Sequence, residues 1–289
     1  MRPLQRVRRL SLRVRKSDAV GETSPSEVDA VPGTPPLGEE HERCAWFWSH
    51  YREAADTTIR VLADGGRDLW GRRVADVGCG EGITDLALML KAEPAELIGY
   101  DVNPTDPGRL LEEARREGVA EELPRTLRFE ISEPTRIPAE DDAFDVVLSW
   151  SAFEHVDDPP LLMREISRVL RPDGVFMLQL WPFYHSEHGS HLWQWIPEGF
   201  AQFRYTDAEI QRRVRDGDSD PAFAEMLLGE YARLNRATLD DLGAAIRAAG
   251  MRVARLEPMC GPVQIPPGAA DVPLSRLAIS GVVLLAVAN

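Results

Sequence analysis

Val74-Ala75-Asp76-Val77-Gly78-Cys79-Gly80-Glu81-Gly82 is the stretch whose reading decides the fold. Residues 74–77 read as a short apolar strand, the glycines as a bend, and residues 84–90 as a helix. Glycines at a strand-to-helix bend let a ligand approach the backbone where any Cβ would clash. The free N–H groups and positive end of the helix then favour a carboxylate or phosphate. Dinucleotide-binding proteins share such a bend, but two details separate this one from theirs. Ile83 stands where the third glycine of G-x-G-x-x-G belongs. Asp76, two residues before the first glycine, repels a pyrophosphate and attracts an ammonium group.

Strand patterns recur outward from this bend at residues 97–100, 126–131, 144–149 and 175–180, with helices at 108–117 and 161–170. That alternation predicts an α/β, mostly parallel sheet with helices on both faces. Arg171-Pro172-Asp173-Gly174 reads as the stop and turn between a helix and the fifth strand. Residues 181–237 break the rhythm and are too long for a simple connection, so they are expected to form a lid or binding insertion. Alternation resumes with a helix over 239–249, a stop at Gly250, and strands at 251–256 and 277–287 that pair like a hairpin. The count is seven strands. Upstream, Trp46, Phe47, Tyr51, Ala54, Ile59 and Leu62 fit an amphipathic helix.

The domain is expected to occupy residues 41–289, with residues 1–40 as tail and linker. Residues 17–40 are dense in Ser, Pro, Glu, Asp and Gly and bury too little to offset ordering entropy. Before them Arg2, Arg6, Arg8, Arg9, Arg13, Arg15 and Lys16 form a basic tail with no apolar stretch behind it, unlike a secretory signal. It reads either as disordered or over-extended sequence, or as a surface for an acidic partner or membrane. The formal charge of −14 argues against general nucleic-acid binding, which draws on a surplus of Lys and Arg. Cys44, Cys79 and Cys260 form no CxxC pair and no disulfide framework, and no apolar run is long enough to span a bilayer; a cytoplasmic protein is expected. Nothing in the sequence sets the oligomeric state.

The second strand closes on Leu97-Ile98-Gly99-Tyr100-Asp101, and Asp101 follows Gly80 at the spacing from which a strand-end carboxylate reaches a ribose diol. Residues 74–82, Ile98-Gly99-Tyr100-Asp101, the Phe144-Asp145-Val146-Val147-Leu148-Ser149 strand and Arg168-Val169-Leu170-Arg171-Pro172-Asp173-Gly174 together resemble the class I S-adenosylmethionine-dependent methyltransferase family. The resemblance is good over residues 70–180 and looser over 238–289. It implies a Rossmann-like, doubly wound methyltransferase fold and S-adenosylmethionine as cofactor. It also implies that Asp76, Gly78, Cys79, Gly80 and Gly82 hold the methionine part, Asp101 the ribose hydroxyls and Val102 the adenine. Glu133 falls where the family usually carries an Asp that reaches the adenine amino group, and Ser149 and Trp150 would line the methyl-transfer face.

A sulfonium methyl already has an excellent leaving group, so the protein must align a nucleophile and, for a hydroxyl, remove a proton. Alignment supplies about 7–11 kcal/mol in favourable cases, and a positioned base a further factor of roughly 10²–10⁴. His155, in Ser151-Ala152-Phe153-Glu154-His155-Val156, lies at the carboxyl edge where open α/β sheets keep their sites, and reads as a base or as a capping or packing residue. Four of the six histidines lie between His155 and His191. His185 and His188 are competing base candidates, while Trp181, Tyr184 and His191 join Trp150 as candidate substrate contacts. The aromatic and histidine content of residues 181–195 fits a stacking pocket for a sugar or hydroxylated ring, or plain packing. A metal held by His185, His188 and His191 with Glu187 is a weaker reading, because Pro182 and Gly189 disfavour the helix their spacing needs, and no metal is expected. Arg204, Tyr205, Arg212, Arg213 and Arg215 read as a solvated helix face or an anion-capturing patch, and Asn235 and Arg236 as pocket-lining or capping residues.

The function expected is methylation of a small molecule, with O-methylation of a sugar or hydroxylated metabolite favoured over N- or C-methylation. A non-catalytic S-adenosylmethionine binder is the alternative. A nicotinamide oxidoreductase is disfavoured by Asp76 and Ile83.

Overall fold

The computed structural model describes residues 39–218 and 220–289. The basic tail and most of the linker lie outside the described residues. The ordered chain opens with helix α1 (Glu39–Trp48), a π-helical segment (Ser49–Ala54) and α2 (Ala55–Asp64). The extra residue per turn of the π segment was not legible in the apolar spacing. The alternating core follows as β1 (Arg73–Val77), α3 (Ile83–Ala92), β2 (Glu96–Asp101), α4 (Pro107–Arg116), β3 (Leu127–Ile131), β4 (Phe144–Trp150), α5 (Pro159–Val169) and β5 (Leu170–Leu180). Helices α6 (Ala201–Arg204), α7 (Asp207–Gly217) and α8 (Pro221–Arg233) lie within the insertion. The sheet is then completed by α9 (Leu239–Ala248), β6 (Met251–Cys260), α10 (Leu274–Ala278) and β7 (Ile279–Ala288).

These strands make one seven-stranded sheet in the order β3-β2-β1-β4-β5-β7-β6. Strands β1 to β5 pair parallel, and β7 runs antiparallel between β5 and β6. Side chains on neighbouring positions of a strand point to opposite faces, which is how a continuous apolar run serves two cores. Ala75 and Val77 of β1, with Ile98, Tyr100 and Val147, pack against Leu162, Met163 and Ile166 of α5 and Leu242 and Ile246 of α9. Val74, with Leu97, Val146 and Leu148, packs on the other face against Val61, Leu62, Leu86, Leu88 and Leu110. The insertion keeps a small core of its own around Leu192, Ile196, Ile210, Val214, Ala224 and Leu228.

Two boundaries depart from expectation. β5 begins at Leu170, so residues 171–174 run along β4 as an irregularity rather than a free turn: Leu170 pairs with Phe144, and Val175 with Val146. Arg171 draws the segment in, donating to Asp145 Oδ1 at 2.6 Å, and a proline is tolerated where the ladder is already interrupted. β7 begins at Ile279 rather than at residue 277, because a short helical turn starting after Pro273 takes Leu277 into its own packing. Among the described residues no helix is long and apolar enough to cross a membrane.

Candidate active site

Parallel pairing brings the carboxyl ends of β1, β2, β4 and β5 to one edge, and the chemistry-bearing residues sit there. The bend after β1 is built by short backbone bonds. Gly78 N–H and Cys79 N–H both donate to Tyr100 O, at 2.7 and 3.2 Å. Asp101 closes the same bend: Oδ2 accepts from Gly80 N–H at 3.0 Å and Oδ1 from Asn103 N–H at 2.9 Å. Gly78 has φ 84°, and a Cβ there would lie 2.3 Å from Ala152 Cβ, so glycine is required both by conformation and by the loop after β4. Gly82 is the N-cap of α3.

Asp76 is 3% exposed, and its Oδ1 has no hydrogen-bond partner among the described residues. It points to the α3 face of the sheet, where α3 presents the fully buried Asp85. Burial lifts both carboxyls above the usual carboxylate range, and the Asp76 charge lifts Asp85 further. The lift is the larger at Asp85. The sequence reading overlooked Asp85, although a lone acid inside Ile83-Thr84-Asp85-Leu86-Ala87-Leu88 was a visible signal. Burial, then Asp85 and Asp76, push the Cys79 thiol far up, which disfavours its thiolate.

Other sequence-predicted residues are placed as follows. Val102 is 51% exposed beside this bend. Glu133 is exposed in a small bridge with Arg136. Ser149 is buried and donates its hydroxyl to Val77 O at 2.8 Å, tying β4 to β1. Trp150 packs partly buried over the α3 side of the sheet.

The insertion leaves β5 at Trp181, and His155 follows β4; β4 and β5 are neighbours, with Trp150 paired to Gln179. A line of rings connects the two exits. Trp181 lies 5.9 Å from His188 and 5.6 Å from Trp193 between centroids; Trp193 lies 6.1 Å from His191, and His191 5.2 Å from His155. Glu187 sits 4.0 Å from His188 Nε2. His185 and Tyr184 belong to a different group: His185 packs on Tyr184 and Phe203, and Tyr184 faces Tyr231 and the Arg236 guanidinium. The candidate histidines are thus split by the fold. Burial lowers the pKa of His155 and His185, and takes His191 down to about 4.

Three arginines of the basic patch are engaged locally: Arg213 pairs with Glu198 and Arg215 with Glu225, while Arg204 donates to Gly199 O. Asn235 does not cap α9. Its side-chain amide donates to Phe153 O and Val156 O at 2.7 and 2.9 Å, clamping the 3₁₀ turn Phe153–His155, and Thr238 caps α9 instead. A groove of about 490 Å³, lined by Leu62, Leu69, Trp70 and Lys91, lies at the opposite edge of β1 and takes no part in this arrangement.

A methyltransferase-domain family model matches residues 47–218, more than half of the chain. The chain belongs to the class I S-adenosylmethionine-dependent methyltransferase family. Over 167 residues it is 29% identical to a ubiquinone biosynthesis O-methyltransferase of Neisseria meningitidis, a match covering 55% of this chain and 68% of that protein. Over 110 residues it is 32% identical to a chloroplastic tocopherol O-methyltransferase of Arabidopsis thaliana, covering 38% of this chain and 30% of that one. The fold matches a chain solved with a Haloferax volcanii methyltransferase activator at TM-score 0.51 and 19% identity, covering 93% of this chain and 99% of that one. Methyltransferases of this family use S-adenosylmethionine, and the β1–β2 edge fits it on its own evidence. The buried, unpartnered Asp76 Oδ1 suits an ammonium. Space stands open over Gly80, where an added Cβ would meet nothing within 4 Å.

Proposed function

We propose that this methyltransferase methylates a hydroxyl of a small ring-bearing molecule, an aromatic metabolite or a sugar, held against Trp181 and Trp193. The observation that carries the reading is the line of rings from Trp181 to His155, which borders the carboxyl edge on the side of β4 and β5. Tryptophan faces stack on planar or CH-rich rings, and the histidines among them supply polar contacts and a proton acceptor. The two O-methyltransferases named above support oxygen as the accepting atom.

S-adenosylmethionine supplies a methyl on a sulfonium leaving group. In this reading Asp76 holds the donor's ammonium, Asp101 its ribose hydroxyls through lone pairs left over from Gly80 and Asn103, and Val102 its adenine face. Ser149 and Trp150 close the strand edge beneath it. His188 accepts the hydroxyl proton, and Glu187 stabilises the imidazolium that results. A donor held there would pass its methyl to the oxygen so aligned, and its sulfur would keep the pair of the broken bond. The pair of rings at Tyr184 and His185 stands apart and supports the insertion, which covers the acceptor.

Calorimetric titration with S-adenosylmethionine, followed by incubation with pools of phenols, catechols and sugars and a mass search for products heavier by one methylene, tests this. Methylated hydroxyl products support the reading. Donor binding with product on nitrogen or carbon alone, or no product in any pool, overturns it.

A further inference from the structure

Glu154 and His155 follow β4, whereas His191 comes from the insertion beyond β5, yet one donor atom of each lies within 4.8 Å of the other two. Glu154 is 3% exposed, and its Oε2 is buried without a partner; His191 Nε2 is likewise buried without one. A buried carboxylate oxygen with no donor is costly unless a cation reaches it. Among the described residues no lysine or arginine pairs with Glu154. The arrangement is also held in place. Asn235 donates to the carbonyls of Phe153 and Val156, and its N–H reaches Glu154 O at 2.9 Å. His191 sits at φ 61°, a conformation that a side-chain-bearing residue keeps only where its surroundings demand it, and its N–H donates to His188 O at 3.0 Å.

We propose that Glu154, His155 and His191 form a divalent transition-metal site, a two-histidine, one-carboxylate set suited to zinc, that clasps the insertion to the turn after β4. Two imidazoles and one carboxylate match zinc, whereas magnesium and calcium prefer oxygen throughout. Donors around a tetrahedral zinc lie about 3.3 Å apart, given bonds near 2.0–2.1 Å. The donor atoms, within 4.8 Å of one another, would therefore draw together by up to about 1.5 Å. Three protein ligands leave a position open, and the ring line places it beside the acceptor's wall. Only this last point rests on the hydroxyl-methylation reading: a cation there lowers the pKa of the acceptor's hydroxyl before His188 takes its proton. His155 is then a ligand rather than the base.

The test uses tag-free full-length protein stripped with EDTA and titrated calorimetrically with zinc chloride, with metal content checked by elemental mass spectrometry. One zinc per chain is expected, with weaker or no heat from magnesium and calcium. Glu154→Gln and His191→Ala should each weaken zinc on the order of 100-fold, while His185→Ala should not. S-adenosylmethionine binding, retained in every variant, shows that each is folded. Zinc that binds equally well to Glu154→Gln and His191→Ala, or does not bind the stripped protein, overturns the site. Zinc binding with no hydroxyl product leaves the site standing and removes the proposed acceptor; hydroxyl product from stripped protein that takes up no zinc does the reverse.

Discussion

The two halves of the carboxyl edge are built differently. Around β1 and β2 the site is mostly backbone: Gly78, Cys79 and Gly80 donate N–H groups to Tyr100 O and Asp101, and one bend with one strand end supplies nearly everything. Around β4 and β5 it is side chains: Trp181, His188, Trp193, His191, His155 and Glu154 come from separate segments and meet only through packing. The first half is set by local conformation and tolerates little change in residue type. The second is set by how an insertion with its own small core lies against the sheet, and it is where relatives with one donor can differ in acceptor.

The sharpest separation of the halves is functional. His188→Ala should lower kcat by about 10²–10⁴ while S-adenosylmethionine affinity, measured by calorimetry, stays within about twofold. A parallel loss of donor affinity would merge the two halves. Asp76→Ala should do the opposite, weakening donor binding by about 100-fold, the equivalent of roughly 3 kcal/mol for a buried charge that loses its partner; unchanged affinity would remove the ammonium assignment. Gly78→Ala, forced to φ 84° and against Ala152, should destabilise the fold by about 2–4 kcal/mol in urea unfolding. Wild-type stability would mean that the bend can relax.

Smaller effects sharpen the picture. Asp85 has its folded pKa raised well above its unfolded value, near about 3.9 for an aspartate. The folded state then binds more protons than the unfolded chain, so stability falls as pH rises above about 4. Asp85→Asn removes that dependence, and the variant should gain on the wild type by about 1.4 kcal/mol for each pH step of one between the unfolded and folded pKa. Thermal melts from pH 4 to 8 check the sign, and a constant offset across that range would refute it. His185→Ala, outside the line of rings, should change kcat/KM by less than about tenfold in the product assay, an effect under about 1.4 kcal/mol; a loss as large as that of His188→Ala would return His185 to the site.

Seven strands, their alternation with helices and the identity of the bend were readable because each depends on spacing along the chain: two residues per strand repeat, glycines at a turn, an acid at a strand end. The departures came from longer-range pulls, as where Arg171 binds Asp145 and β5 starts early. Asp76, Gly78, Gly80 and Asp101 were legible singly. The Asp76–Asp85 pair was not, because it requires knowing that α3 packs its buried face under β1.

By itself the sequence determined the β1–β2 edge, since its glycines, Asp76 and Asp101 fall at fixed spacings along one strand–helix–strand unit. Only the tertiary structure decided that His155 and Glu154 meet His191, that His188 joins two tryptophans, and that His185 turns elsewhere. Those contacts are distances between segments joined by a helix and a strand, and no periodicity in a chain encodes such a distance.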